Sequence, residues 1–484
     1  MTPFRPPSPW VLRLRSFAGW ILLGAFLVSC RTANVGSESR PVSESIGPAL
    51  DSEISASVEQ VSEQRLMETL RKLVGMVTRH TCADPAPPET GPAAARLMIE
   101  AELSAVPGMK TLLDPFPMPK CAQPVTAFNV VGFIPGKDPR RLILVGGHYD
   151  SLALSGRAEN RETERWTNAP TPAPGADDSG SQAALVVEAA HALAGHAYEA
   201  TIAFVTFAGE EQGLVGSKAL ALSYQRLFPE ARLEAVLNSD IVGGDTSVND
   251  PTTLHQFRLY SPGAPRETGR AADGTNDSTS PSRGLARFVG YWSGRYVPTM
   301  TEVPRLREDR IGRGGDHSSF IAEGIAAVRF IETQENVAHQ HSAADTVANI
   351  APDYLRRMTQ VVAASAAALA RAPAAPTTPA VSFGNDGRTR LTWSPAPRAD
   401  HYVVAARPVG ELYYRKRIPV AASETSREIE PLEFGILPVE PFFVSVAAVD
   451  SAGHESLFAY PEIRCDGKTC AVPPGALEVT ATVK

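Results

Sequence analysis

The chain has 484 residues, 43% hydrophobic and 20% charged, which is enough to bury the cores of two or three domains and excludes a disordered protein. Its formal charge is −7, and loss of residues 1–29 would remove Arg5, Arg13 and Arg15 without removing any acid. Nothing in this balance suggests nucleic-acid binding.

In chain order, the first feature is a basic N-terminal stretch, an apolar run over 17–28 and then "LVSC" ending at Cys30. The run is too short to be a stable membrane span and reads as an export signal over 1–30. "LVSC" resembles the bacterial lipobox, which implies a lipidated Cys30 and attachment to a membrane; the alternative is an ordinary cleaved signal. Arg31 stands where, by the same resemblance, an Asp would retain a lipoprotein in the inner membrane, so an outer-membrane or periplasm-facing location is expected.

Residues 31–55, rich in Ser, Glu and Pro, read as a flexible tether. Leu66, Leu70, Leu73, Val74 and Val77 form the stripe of an amphipathic helix, with Ser57 and Gln60 as a capping box upstream. Cys82, Cys121, Cys465 and Cys470 leave three connectivities open, of which 82–121 and 465–470 are the local pairs.

From residue 127, short apolar runs ("FNVVGFIPG", "RLILVGGH", "TIAFVTFA", "LEAVLNSD", "IAAVRFIE") alternate with helical stretches such as 181–194. That alternation predicts an α/β domain over 56–371 with a mostly parallel central sheet flanked by helices, closed by a helix over 352–371. Residues 372–380 read as a Pro/Ala linker. Beyond it, "TRLTWSP", "HYVVAARP" and "PFFVSVAAVDSAGHES" alternate as half-buried strands do, predicting a small all-β sandwich over 381–463 with a tail over 464–484. Trp393, Tyr402 and the register of Phe443, Ser445 and Ala447 resemble a fibronectin type III domain, better read as a spacer than as a binding module.

The chemistry lies at the strand ends. "LILVGGHYDS" carries His148 and Asp150, "PGADDSGS" Asp178, "FVTFAGEEQGLVGS" Glu210 and Glu211, "VLNSDIVGG" Asp240 and "HQHSAADT" His341. Open α/β sheets bind ligands just beyond the strand C-termini. Zinc takes imidazole nitrogen and carboxylate oxygen, and a pair of zinc ions needs a carboxylate between them. Two histidines and three carboxylates meet that need: His148 for one ion, Asp178 bridging, with Glu211, Asp240 and His341 at the remaining positions. Asp150 would orient His148 or its surroundings, and Glu210, next to a ligand, is placed to act as general base.

These motifs look like the di-zinc aminopeptidases typified by bacterial leucyl aminopeptidases, metallopeptidase family twenty-eight, over about residues 57–371. The resemblance implies that His148, Asp178, Glu211, Asp240 and His341 bind two zinc ions, that Glu210 is the base and that peptides are the substrates. It selects the second Asp of "GADD", leaving Asp177 a neighbour, and His341 over His339, because the family's last His precedes "xxxDT". "GGDHSSF", with Asp316 and His317, also resembles a segment near the family's active site. Relatives often place a Tyr near that pair or near the last His to stabilise an oxyanion; here Gly312, Arg313 and Gln340 stand instead, and Arg313 is the candidate replacement. Glu188, His191 and His196 read as a solvated helix face, and the loop over 261–283 as a wall of the substrate pocket. Two rival functions are weighed: a glutaminyl cyclase-like acyltransferase, which would need one zinc, and a non-catalytic surface binding protein.

Overall fold

The structure, a computed structural model, describes residues 48–83, 90–155, 161–167, 172–262, 280–307, 309, 314–383, 388–467 and 469–473. The signal, Cys30, Arg313 and most of the 261–283 loop lie outside the described residues. Among those described, no helix is long and apolar enough to cross a membrane.

Packed structure begins inside the expected tether, because Asp51 caps a short helix, α1 (Ser52–Glu59), by accepting the backbone N–H groups of Glu53 and Ile54. The capping box at Ser57 and Gln60 is therefore a misreading: Ser57 is buried within α1 and bonds back to the Glu53 carbonyl. The cap of α2 (Glu63–Val74) is Ser62, whose hydroxyl accepts from Arg65. Val77 is not on that helix either, since the chain has left it and is in the left-handed region there.

Glu188 corrects a third expectation. It is 1% exposed, accepts the Ser62 N–H and pairs with Arg65 at 2.6 Å, because the face of α5 (Gln182–Leu193) that carries it packs on α2. A carboxylate at the start of α2 also complements the helix dipole. On the same helix His191 is half-buried, and His196 beyond it lies 3.4 Å from Glu53.

The central sheet has eight strands: β1 (Lys110–Met118), β2 (Val125–Ile134), β3 (Asp138–His148), β4 (Ala200–Phe207), β5 (Arg232–Ser239), β6 (Gln256–Tyr260), β7 (Thr301–Arg305) and β8 (Ala327–Glu332), in the order β1-β2-β4-β3-β5-β8-β6-β7. The pairs β4–β3, β3–β5 and β5–β8 are parallel, so the centre is parallel and the sheet as a whole mixed. These central strands are apolar on both faces because helices cover both. On one side lie α3 (Gly91–Ser104), α5, α7 (Pro281–Tyr296) and the long α9 (Pro352–Arg371); on the other lie α6 (Val215–Leu227) and α8 (His317–Ala322), and a short α4 (Arg161–Trp166) stands between β3 and α5 in the chain.

The C-terminal part is a small β domain of two antiparallel sheets. β9 (Thr377–Phe383), β10 (Thr389–Ser394) and β13 (Ser426–Glu428) form one. The other joins β12 (Lys416–Ala421), β11 (His401–Pro408), β14 (Phe442–Val449), β15 (Ile463–Asp466) and β16 (Thr469–Ala471). Trp393 and Tyr402 meet edge to face in its core, at 5.4 Å between rings. β9 begins inside the expected Pro/Ala linker and takes up residues 377–380 of it. Cys82–Cys121 and Cys465–Cys470 are disulfides, the two local pairs.

β11 and β14 are buried on both faces, not one. One face forms the domain core; the other carries Arg407 and turns toward α7. Glu462 accepts from Arg407 at 2.7 and 3.0 Å and from Tyr414 at 2.9 Å, and pairs with Arg287 of α7 at 2.9 Å. Burial alone would raise the Glu462 pKa, but the two guanidinium groups outweigh it and hold it at about 2. Arg417 covers the Tyr291 ring of α7, Tyr413 bonds Glu302, and His454 reaches Asp51 at 2.6 Å.

Glu462→Gln should therefore destabilise the protein by about 3–5 kcal/mol in chemical denaturation at neutral pH, since it strands two buried cations. A carboxylate with a depressed folded pKa stabilises above its unfolded value, near 4.5, and loses that contribution as pH falls through about 2. The gap between wild type and variant should close over that window; a gap independent of pH would refute the ion-pair account.

Candidate metal centre

Three adjacent parallel strands, β4, β3 and β5, deliver side chains to one place from their C-terminal ends. His148 is the last residue of β3, Asp240 follows β5, and Glu210 and Glu211 follow β4 in the turn that begins at Gly209, whose φ is +72°. Asp178 comes from a π-helical turn, Ala176–Ser181, that opens α5, and the Asp178–Ser179 peptide is cis. His341 comes from the segment after β8, where its carbonyl accepts the Leu154 N–H at 2.9 Å.

The side chains form two groups that share Asp178. His148 Nε2 lies 3.3 Å from Asp178 Oδ1 and 3.6 Å from Asp240 Oδ1. His341 Nε2 lies 3.2 Å from Asp178 Oδ2 and 3.0 Å from Glu211 Oε1. Each set of three could hold a metal ion. A tetrahedral zinc with bonds of about 2.1 Å separates its ligand atoms by roughly 3.4 Å, so both sets have the right spacing. Asp178 Oδ1 and Glu211 Oε1 are buried and, among the described residues, face the ligand imidazoles without a well-aligned hydrogen bond, as atoms reserved for an ion would be. The donor set, imidazole and carboxylate, suits zinc.

The electrostatics point the same way. Burial would lower the His341 pKa, yet Glu211 and Asp178 raise it to about 11. His148 is likewise driven up against burial by Glu210 and the surrounding aspartates. Burial pushes Glu210 well above the usual carboxylate range, with Glu211, Asp316 and Asp240 adding to it, and Asp316 to about 7. Such a concentration of negative charge favours cations.

Around the ligands runs a set of hydrogen bonds that fixes them. The Asp150 carboxylate accepts the N–H groups of both Glu210 and Glu211, each at 3.2 Å, and its Oδ1 lies 3.4 Å from His148 Nδ1. It thus orients the imidazole and the Glu–Glu turn together. Glu210 belongs to neither ligand set.

Asp345 accepts the N–H groups of Asp177 and Asp178 at 2.8 and 2.9 Å. Arg79, fully buried, donates to the carbonyls of Pro174 and Gly175 at 2.7 Å each and to that of Tyr149 at 2.7 Å. Thr81, next to the Cys82–Cys121 disulfide, accepts the Gly209 N–H at 3.0 Å. His339 sits aside from the ligands, 2.7 Å from Asp245.

All five side chains read from the sequence as ligands come together, with Glu210 and Asp150 beside them. Three supporting residues were not read as such. In the sequence Asp345 is only a marker for His341, Arg79 lies in a segment with no strand or helix pattern, and Arg329, whose Nε lies 2.9 Å from Asp240 Oδ2, sits inside a strand-like run. An arginine inside the apolar run "AAVRFI" was the available signal, because a buried cation needs an anion.

Asp345→Asn should leave the fold intact but weaken zinc about 10–100-fold, because an amide cannot accept both N–H groups that fix the Asp178 turn. Competition with a fluorescent chelator measures this, and wild-type affinity would show that the turn holds without Asp345.

Residues 129–366 match the sequence profile of peptidase family M28. A probable zinc metalloprotease of Pyricularia oryzae is 35% identical over 376 residues, 72% of this chain and 72% of that protein. One from Pyrenophora tritici-repentis is 32% identical over 376 residues, 72% of this chain and 83% of its own length. Among solved structures, the LapA aminopeptidase of Legionella pneumophila superimposes with a TM-score of 0.50 and 21% identity, over 67% of this chain and 76% of that one, a likeness of fold.

Proposed function

Because this chain belongs to peptidase family M28 and is a zinc-dependent hydrolase, we propose that it is an aminopeptidase that removes N-terminal residues from peptides with two zinc ions. The observation that carries this reading is the division of Asp178, one oxygen toward His148 and Asp240 and the other toward His341 and Glu211. A one-metal acyltransferase on the same scaffold would leave one of these two sets without a role.

When bound, the zinc ions would polarise the scissile carbonyl and lower the pKa of the attacking water. The protein supplies the rest. Glu210, held by Asp150 through its own backbone N–H, takes a proton from the water as its oxygen bonds to the carbonyl carbon. As the C–N bond breaks, Glu210 passes that proton to the departing nitrogen. Such assistance is worth about 10²–10⁴ in rate, roughly 3–5 kcal/mol of barrier.

We also infer that the protein is exported and anchored through a lipidated Cys30. Two disulfides support an oxidising compartment.

The test uses aminoacyl p-nitroanilides and N-acetylated counterparts. The wild type should cleave the free-amine substrates, spare the blocked ones and lose activity on chelation. Glu210→Gln should retain zinc and fold while kcat drops about 10²–10⁴-fold. Undiminished turnover in that variant would discard Glu210 as base, and equal cleavage of blocked substrates would discard the aminopeptidase reading.

A further inference from the structure

The two ligand sets differ in what stands behind them. In the set of His148, Asp178 and Asp240, the second carboxylate oxygen of Asp240 is occupied: Arg329 Nε lies 2.9 Å from Oδ2, while Oδ1 faces His148 Nε2 at 3.6 Å. Among the described residues, no arginine or lysine pairs with the carboxylate of Asp178 or Glu211; Arg165 reaches only the Glu211 backbone carbonyl, at 2.6 Å.

Arg329 is 1% exposed in the middle of β8, between the fully buried Val328 and Phe330. A guanidinium in such a strand costs several kcal/mol unless an anion receives it. The fold supplies the nearer anion, Asp240, by register, and Asp309 Oδ2 stands 3.8 Å from Nη1 as a second. Arg329 pairs with Asn238 of β5, and two residues on, Asp240 donates its backbone N–H to the Phe330 carbonyl at 3.0 Å. Arg329 Nη1 also donates to the Gly314 carbonyl at 3.1 Å, and its guanidinium lies over the Tyr260 ring at 5.6 Å.

Gly315 completes the arrangement. A Cβ there would sit 3.0 Å from Asp240 Oδ2 and 3.2 Å from Arg329 Cδ, so the absent side chain is what lets carboxylate and guanidinium meet.

We infer that Arg329 is a positioning residue that holds Asp240 as a one-oxygen ligand, and that it sets the metal affinity of the His148–Asp178–Asp240 set separately from that of the His341–Glu211 set. The inference rests on the two-ion reading above. Its physical basis is that the partner of a ligating carboxylate fixes which oxygen and which rotamer face the ion, and loss of such a partner typically costs 10–100-fold in affinity. Lysine could keep the charge at this position but not the planar fork that reaches both Asp240 and the Gly314 carbonyl.

The test compares Arg329→Met and Arg329→Lys with the wild type in zinc competition against a chromophoric chelator, with circular dichroism as the check on folding. One zinc equivalent should bind as in the wild type and the other about 10–100-fold more weakly in Arg329→Met, with partial recovery in Arg329→Lys. In cobalt-loaded protein, the visible absorption of the weakened equivalent should change and that of the other should not, a signature that general loosening would not give.

Should Arg329→Met fail to fold, Gly315→Ala carries the same expectation, because its methyl group would press on both partners. Both equivalents bound as tightly as in the wild type, or more tightly, with an unaltered cobalt spectrum would overturn the inference. A wild type that takes up a single equivalent would overturn the two-ion reading instead, and Arg329 would then stand or fall on whether that one equivalent weakens in the variants.

Discussion

Carboxylates gathered away from water repel one another, and a fold that gathers them must also provide something positive in their midst. Here Asp178, Glu210, Glu211 and Asp240 converge beside two imidazoles at the ends of adjacent strands, with the Arg329 guanidinium paired to Asp240. Much of the surrounding structure makes sense as scaffolding for this unfavourable gathering. Asp150 and Asp345 fasten the backbone of the ligand-bearing turns, and Arg79 ties the carbonyls on either side of them. The free energy that an isolated apo site would lack is what metal binding returns.

How much of this could be read in advance follows from how local each signal is. Strand ends were legible because an apolar run that stops at His148 or just before Asp240 announces both the strand and the residue it presents. The bridging Asp178 was selected by the Gly-Ser turn after it, again a neighbour in sequence. What escaped depends on partners remote along the chain: Glu188 looked solvated until α2 was laid across it, and Arg329 looked like an oddity in a strand until register brought it to Asp240. The helix cap was misplaced for a related reason, since two short helices in succession blur one stripe. Arg313 and the 261–283 loop belong to expectations that fall outside the described residues.

The disulfide between Cys82 and Cys121 joins this scaffolding. It fixes the segment in which Arg79 and Thr81 reach, respectively, the carbonyl of Tyr149 and the N–H of Gly209. One short stretch with no regular secondary structure thereby supports the ends of both β3 and β4. Loops that make such contacts are held by directed hydrogen bonds more than by apolar burial, and a covalent tie limits how far they can open.

The Pro- and Ala-rich stretch after Arg371 has the look of a seam at which evolution or a protein engineer might cut and exchange modules. The contacts across it say otherwise. Separating the halves there would bare the flank of α7 around Arg287 and Tyr291 on one piece, and on the other would take Arg287 from Glu462 and the Tyr291 ring from Arg417. Neither fragment would inherit a finished surface, so the two halves are expected to have changed together, as a lock and its housing do, and a graft onto a different sandwich would have to bring that flank with it.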